Sequence, residues 1–191
     1  MTDYSRRGFI AAAGGALAAA WLTADAPKLL AAAAHATRAA RARPPAPFQF
    51  LTPDQAEDLD AATSQLMPSD DLPGAREAHV VHFIDTALAT WQKDQRPVFA
   101  KGLAELRKRA VKQNASAKSF AALADEQRHA VIASMEKDKH QFFFTLRAAT
   151  LAGMFANPQY GGNFNKQGWK LLGFDDRYSW VAPFGWYDAN A

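Results

Sequence analysis

The stretch that decides the fold is Thr52-Pro53-Asp54-Gln55-Ala56-Glu57-Asp58-Leu59-Asp60-Ala61-Ala62-Thr63-Ser64-Gln65-Leu66-Met67-Pro68. Thr52 offers a hydroxyl to the free N–H groups of a first helical turn. Pro53 fits the first helical position, where no N–H is needed, and Gln55 stands where a capping-box partner belongs. Ala56, Leu59, Ala62 and Leu66 then recur at helical spacing, and Pro68 stops the run. A helix with its own start and stop signals, and one apolar face, asks for other helices to cover it.

Those helices follow. Pro68-Ser69-Asp70-Asp71-Leu72-Pro73-Gly74-Ala75 reads as a structured turn, because two prolines and a glycine restrict its backbone. A second helix is predicted from about Arg76 to Trp91, with Val80, Ile84, Ala87, Leu88 and Trp91 on one face. A third starts at Arg96-Pro97 and carries Phe99, Leu103, Leu106 and Ala110. Phe120 and Leu123 precede a fourth, about 125–136, with Val131, Ile132 and Met135. A fifth, about 138–156, carries Phe142, Phe143, Leu146, Ala149, Thr150, Gly153 and Met154. No run alternates apolar and polar in the manner of a strand. The expected fold is all-α, an irregular bundle of about five helices over 50–156.

Residues 157–191 differ. Asn157-Pro158-Gln159-Tyr160-Gly161-Gly162-Asn163 is a Gly-rich turn, and Trp169, Trp180 and Trp186 are three of the chain's five tryptophans. This Gly/Pro-broken, aromatic-rich extension is expected to be non-helical. It either wraps back on the bundle or docks on a partner, since Trp and Tyr dominate interface hot spots.

At the other end, Ser5-Arg6-Arg7-Gly8-Phe9 precedes an Ala/Gly-rich apolar run from Ala11 to Leu22. A twin arginine with Ser5 and Phe9 at these offsets, ahead of a weakly apolar run too short to span a bilayer, reads as a Tat export signal over 1–36. That route carries folded cargo. Residues 37–49, rich in Ala, Arg and Pro, read as a linker.

The chain has 191 residues, 49% of them hydrophobic, with a formal charge of +3. So weak and dispersed an excess argues against nucleic acid. The absence of cysteine excludes disulfides, thiolate metal sites, CxxCH haem attachment and cysteine nucleophiles. No glycine-rich nucleotide loop stands between a strand and a helix. Glu126 with His129 is the one Glu-x-x-His in the chain, whereas the ferritin-like di-metal pattern needs two such pairs and further inward Glu residues. His79, His82 and Asp85 lie at helical spacing and are the one set from which a metal-binding or catalytic site can be drawn; the simpler reading is hydrogen bonding or capping within the fold. Ser134, His129 and Asp138 carry no nucleophile-elbow sequence. The basic run from Lys101 to Lys112 reads as the wet side of a helix.

Taken in order, several pieces resemble the gluconate 2-dehydrogenase subunit 3 family. They are the twin arginine, Leu66-Met67-Pro68-Ser69-Asp70, Pro73-Gly74-Ala75, Phe83-Ile84-Asp85 with Val81, and Phe142-Phe143 with Leu146-Arg147. Most specific are Pro158-Gln159-Tyr160-Gly161-Gly162-Asn163 and Gly168-Trp169-Lys170-Leu171-Leu172-Gly173-Phe174. Such chains are small subunits of flavin-dependent sugar and sugar-acid dehydrogenases. The resemblance implies an accessory subunit with no cofactor of its own. FAD is expected in a large partner subunit related to glucose–methanol–choline oxidoreductases, and electrons would pass to a cytochrome c subunit. The small subunit would carry the large one through the Tat translocase to the periplasm. Tyr160, Asn163, Phe164, Trp169, Phe174 and Trp180 are then candidate partner contacts. Pro68, Asp70, Pro73, Gly74, Asp85, Gly161 and Gly162 are expected to shape the fold. The alternatives are a membrane-tethered adaptor and a small metal-binding enzyme using His79, His82 and Asp85.

Overall fold

A computed structural model gives the structure and describes Trp21, residues 47–174 and Asp176. The export motif Ser5, Arg6, Arg7 and Phe9, most of the linker, and Trp180 lie outside the described residues. Six α-helices stand in order, with no strand among the described residues: α1 (Pro53–Leu66), α2 (Val80–Ala89), α3 (Arg96–Gln113), α4 (Asp125–Lys137), α5 (Gln141–Phe155) and α6 (Gln167–Leu171). The all-α expectation is met. No helix among the described residues is long and apolar enough to cross a membrane.

Helix α1 begins as its sequence dictates. The Gln55 N–H donates to Thr52 Oγ1 at 3.3 Å, and the Thr52 N–H donates to Gln55 Oε1 at 3.0 Å. Its inner face buries Ala56, Leu59 and Ala62. The second helix starts later than its periodicity suggests, at Val80 rather than Arg76. The intervening residues close tight turns, with the Val80 N–H on the Ala75 carbonyl at 3.0 Å, and His79 sits in the left-handed region at φ 56°. A β-carbon in that region normally costs about 1–3 kcal/mol, so an α-helix does not run through it. At its other end α2 stops at Ala89. The Arg96 guanidinium donates to the Leu88 and Ala89 carbonyls at 2.7 and 3.3 Å, and lies 4.9 Å over the Phe50 ring.

Helices α2 and α5 form the centre. Val80, Val81, Phe83, Ile84, Ala87 and Leu88 of α2 are all buried, and α5 contacts α1, α2, α3, α4 and α6. Phe83, Phe99, Phe120 and Phe142 are fully enclosed, with Phe99 edge-on to Phe142 at 5.5 Å between centroids. Edge-on pairing of this kind adds about 0.5–1.5 kcal/mol beyond the area buried. Every apolar position assigned to the inner faces of the third, fourth and fifth helices is buried.

Two polar anchors lock the layers. Asp58 on α1 is 0% exposed, accepts from Arg107 Nε of α3 at 2.7 Å, and accepts from the Ala121 N–H at 3.0 Å. Around Arg109 of α3, Glu105 stands at 2.9 Å, Asp138 at 2.9 Å and Ser134 Oγ at 2.7 Å. Most of the basic run is thus spent on intramolecular pairs. Ser134 Oγ donates to the Val131 carbonyl at 2.7 Å.

Asp58 makes the sharper test. Asp58→Ala strands the Ala121 N–H and half of the Arg107 interaction. Because Arg107 is partly solvated, the expected loss is about 2–3 kcal/mol rather than the upper figure for a sealed pair. Urea unfolding monitored by circular dichroism should show it, with Asp58→Asn falling between the two.

Candidate functional site

The C-terminal end of α5 leaves carbonyls without intrahelical partners, as every helix end does. The first part of the extension supplies the missing donors. The Asn163 N–H donates to the Gly153 carbonyl at 2.7 Å, Asn163 Nδ2 donates to the Ala156 carbonyl at 2.9 Å, and Trp169 Nε1 donates to the Phe155 carbonyl at 2.8 Å. Asn163 Oδ1 in turn accepts from the Gly168 N–H at 2.8 Å, which pins the start of α6. The Phe164 N–H reaches the Ala78 carbonyl at 3.1 Å. Asn163 adopts φ 46°, a conformation Asn tolerates better than most residues.

Two glycines make this seat possible. A Cβ on Gly162 would lie 2.2 Å from the Gly153 carbonyl oxygen, and one on Gly168 would lie 1.9 Å from that of Met154. Both obstacles are backbone, which cannot step aside. Gly161 turns the chain at φ 97°. The extension is therefore not wholly irregular: 3-10 turns at Pro158–Tyr160 and Phe164–Lys166 lead into α6. Sequence periodicity misses so short a helix because it is held by its contacts rather than by propensity.

These contacts place the candidate partner residues. Asn163 is buried and engaged at every polar atom of its side chain. Trp169 is half-buried with its N–H in use, and Tyr160 packs edge-on to Trp91 at 6.3 Å. Phe164 stacks flat on His79 at 4.1 Å. Phe174 faces outward at 49% exposed, edge-on to Trp169 at 5.2 Å, beside Leu172 at 54%.

The histidines form the other half of the site. Phe48, His82, His79 and Phe164 make one column of rings, with centroid spacings of 4.9, 5.4 and 4.1 Å. The column joins the segment that leads into α1, the N-terminus of α2 and the extension. Asp85 does not turn toward it. Its carboxylate, on a residue 3% exposed, accepts from the Gln49, Phe50 and Leu51 N–H groups at 2.8, 2.9 and 2.9 Å. Helical spacing brings His79, His82 and Asp85 near one another but aims them at different partners. Among the described residues no group of three or more His, Asp or Glu side chains is arranged to hold a metal ion. His140 caps α5, its Nδ1 accepting from the Phe142 N–H at 3.2 Å, a role that no common capping signature announced.

The loop before α2 is held by carboxylates. Asp70 Oδ1 accepts from the Leu72 N–H at 2.8 Å, and Glu77 Oε2 accepts from Ser69 Oγ and from the Gly74 N–H. The Ser69 hydroxyl, followed by the Gly74 N–H, holds the Glu77 carboxyl below its ordinary pKa. Pro68 and Pro73 bracket this loop, and the Ala75 N–H returns to the Met67 carbonyl at 2.9 Å.

Burial lowers the pKa of both column histidines. The neighbouring His82 lowers that of His79 further while Asp60 opposes; Asp85 and Asp60 oppose the shift of His82. Unfolding therefore takes up protons from pH 6.5, the ordinary value, down to the lowered folded values. Stability is complete above that window and is lost as pH falls through it. The melting temperature should drop on acidification from pH 7 to 5, and His82→Phe, which keeps a ring against Phe48, should flatten the drop. An unchanged slope in that variant would exclude His82 as a source. For the extension, Gly168→Ala should cost about 2 kcal/mol or more by forcing α6 off α5. Limited proteolysis should then cut within 157–167 while the far-ultraviolet circular dichroism of the bundle is kept.

Comparison with curated proteins gives no match, and neither does comparison with solved structures. The family model described as gluconate 2-dehydrogenase subunit 3 matches residues 53–176, from the first residue of α1 to just beyond α6. It thus takes in the bundle and the capping extension together. With more than half of its length matched, the chain belongs to the gluconate 2-dehydrogenase subunit 3 family.

Proposed function

We propose that this chain is a non-catalytic small subunit that binds and stabilises a large FAD-dependent dehydrogenase subunit of the glucose–methanol–choline type. In this reading it also escorts that subunit to the periplasm by the Tat route. Family membership over 53–176 carries the reading, since it assigns the chain to a subunit of a dehydrogenase complex. Side-chain use supports it. Asp58, Asp85, His140, Asn163 and Ser134 are each committed to holding the fold. Cysteine, the residue that ligates iron–sulfur clusters and attaches c-type haem, is absent from the chain.

The flavin and the substrate, a sugar, sugar acid or alcohol, belong in this reading to the large subunit, and a cytochrome c subunit is the expected electron acceptor. The twin arginine Arg6-Arg7 supplies the export signal for both chains. An association that survives translocation needs an apolar interface of about 2,000 Å² or more in total. Phe174 and Leu172, exposed at the end of α6 beside Trp169, are the first place to seek it, with Trp180 further along. Tyr160, Asn163, Phe164 and Trp169 would act by setting the position of that edge.

Co-expression with a neighbouring flavoprotein, followed by purification through a tag on this chain, tests the proposal. A yellow, FAD-bearing complex is expected, with both chains retained in the cytoplasm when Arg6 and Arg7 are changed to Lys. Phe174→Asp should weaken the complex at least tenfold while leaving the melting temperature of this chain within a few degrees. A colourless chain that purifies alone, with a flavoprotein exported in its absence, would overturn the proposal.

A further inference from the structure

Trp21 stands at the end of the apolar run 11–22, in the segment read as a leader, and yet it is 4% exposed. Its indole lies edge-on to Phe99 at 5.6 Å and tilted against Phe83 at 6.4 Å. Its backbone carbonyl accepts from Trp91 Nε1 at 2.8 Å, and the Trp91 ring is itself edge-on to Phe83 at 5.9 Å. Phe83 and Phe99 are fully buried, one on α2 and the other on α3, and Trp91 lies in the turn between those helices. A buried Trp covers roughly 150–250 Å² of apolar surface, and a backbone hydrogen bond fixes its orientation. Two-point recognition of this kind, an apolar socket plus a directed donor, is how a binding site holds a side chain rather than merely tolerating it.

We propose that Phe83, Trp91 and Phe99 form a socket for Trp21, by which the folded bundle holds its own N-terminal leader. The socket is assembled from two helices and their connecting turn, so it exists only once those elements have packed. Occupancy of the socket withholds Trp21 from any other binder of the leader. The leader is thus latched to a folded domain until a stronger binder takes it. A cut on the C-terminal side of Trp21 would remove the plug and leave an aromatic-lined hole in the core. The latch does not rest on the escort reading, because it concerns contacts within one chain.

The full chain labelled with 5-fluorotryptophan tests this by fluorine NMR. Trp21→Phe identifies the Trp21 line among those of the five tryptophans. In the wild-type chain that line should show no solvent isotope shift between H2O and D2O, and it should move when Phe99→Leu alters the socket. A Trp21 line with the isotope shift of an exposed indole, or one indifferent to Phe99→Leu, overturns the latch. Thermal unfolding provides a second reading. Trp21→Ala should lower the melting temperature by roughly 10 °C and Trp21→Phe by clearly less. Equal melting temperatures in all three chains also overturn it. If Trp21→Ala fails to fold, the fluorine measurement on the wild-type chain decides alone.

Discussion

The end of α5 is the constraint on which the remainder of this structure depends. A helix packed at the centre of a bundle cannot leave its last carbonyls to water if a further segment is to cross them. Here Asn163 and Trp169 satisfy the Gly153, Phe155 and Ala156 carbonyls, and Gly162 and Gly168 let the backbone come close enough to do so. An unsatisfied buried acceptor costs about 1–3 kcal/mol, so each of these bonds matters more by its absence than by its presence. The extension is accordingly part of the bundle, at least as far as Leu171. The family match, which runs from α1 through α6, spans this same unit.

The opposite face is organised by α2. It is too apolar to serve as a surface helix, and the polar side chains of Asp85, His82 and its N-cap His79 are given to the segments before α1 and after α5. Asp85 gathers three successive N–H groups from 49–51, and the His79–His82 pair stacks between Phe48 and Phe164. The approach to α1 and the departure from α5 therefore meet at one end of a single buried helix. Ring stacking that holds neutral imidazoles also withdraws them from water, which is why burial lowers both pKa values. The same geometry that ties the segments together makes the joint sensitive to acid.

An accessory subunit needs a rigid body and a surface to offer. The ion pairs of Asp58 with Arg107, and of Glu105 and Asp138 with Arg109, are spent on rigidity between α1, α3 and α4. The large apolar side chains exposed among the described residues are Leu72, Val111, Phe144, Leu172 and Phe174, and the last two stand together at the far edge of α6. In the proposed complex the seat on α5 would hold that edge in place before any partner arrives. Ordering it in advance lowers the entropy lost on association.

Much of the architecture was legible in the residues because it is local. The capping box at Thr52, the stop at Pro68, the 3.6-residue recurrence of Leu103, Leu106 and Ala110, and the Gly-rich turn at Gly161-Gly162 are decided by neighbours a few positions apart. The late start of α2 was not, because the left-handed His79 is held by the turns around it and by a ring 85 positions further on. Nor could spacing tell that Asp85 would serve backbone groups 34 to 36 residues away rather than the histidines within two helical turns of it. Asn163 as a helix cap, α6 as a helix, and Trp21 within the core are likewise long-range outcomes. The sequence by itself determined helix, cap, turn and family, since short-range hydrogen bonding and hydrophobic period are written along the chain. Only the tertiary structure decided what each polar side chain does, since a buried donor or acceptor takes whichever partner packing brings to it.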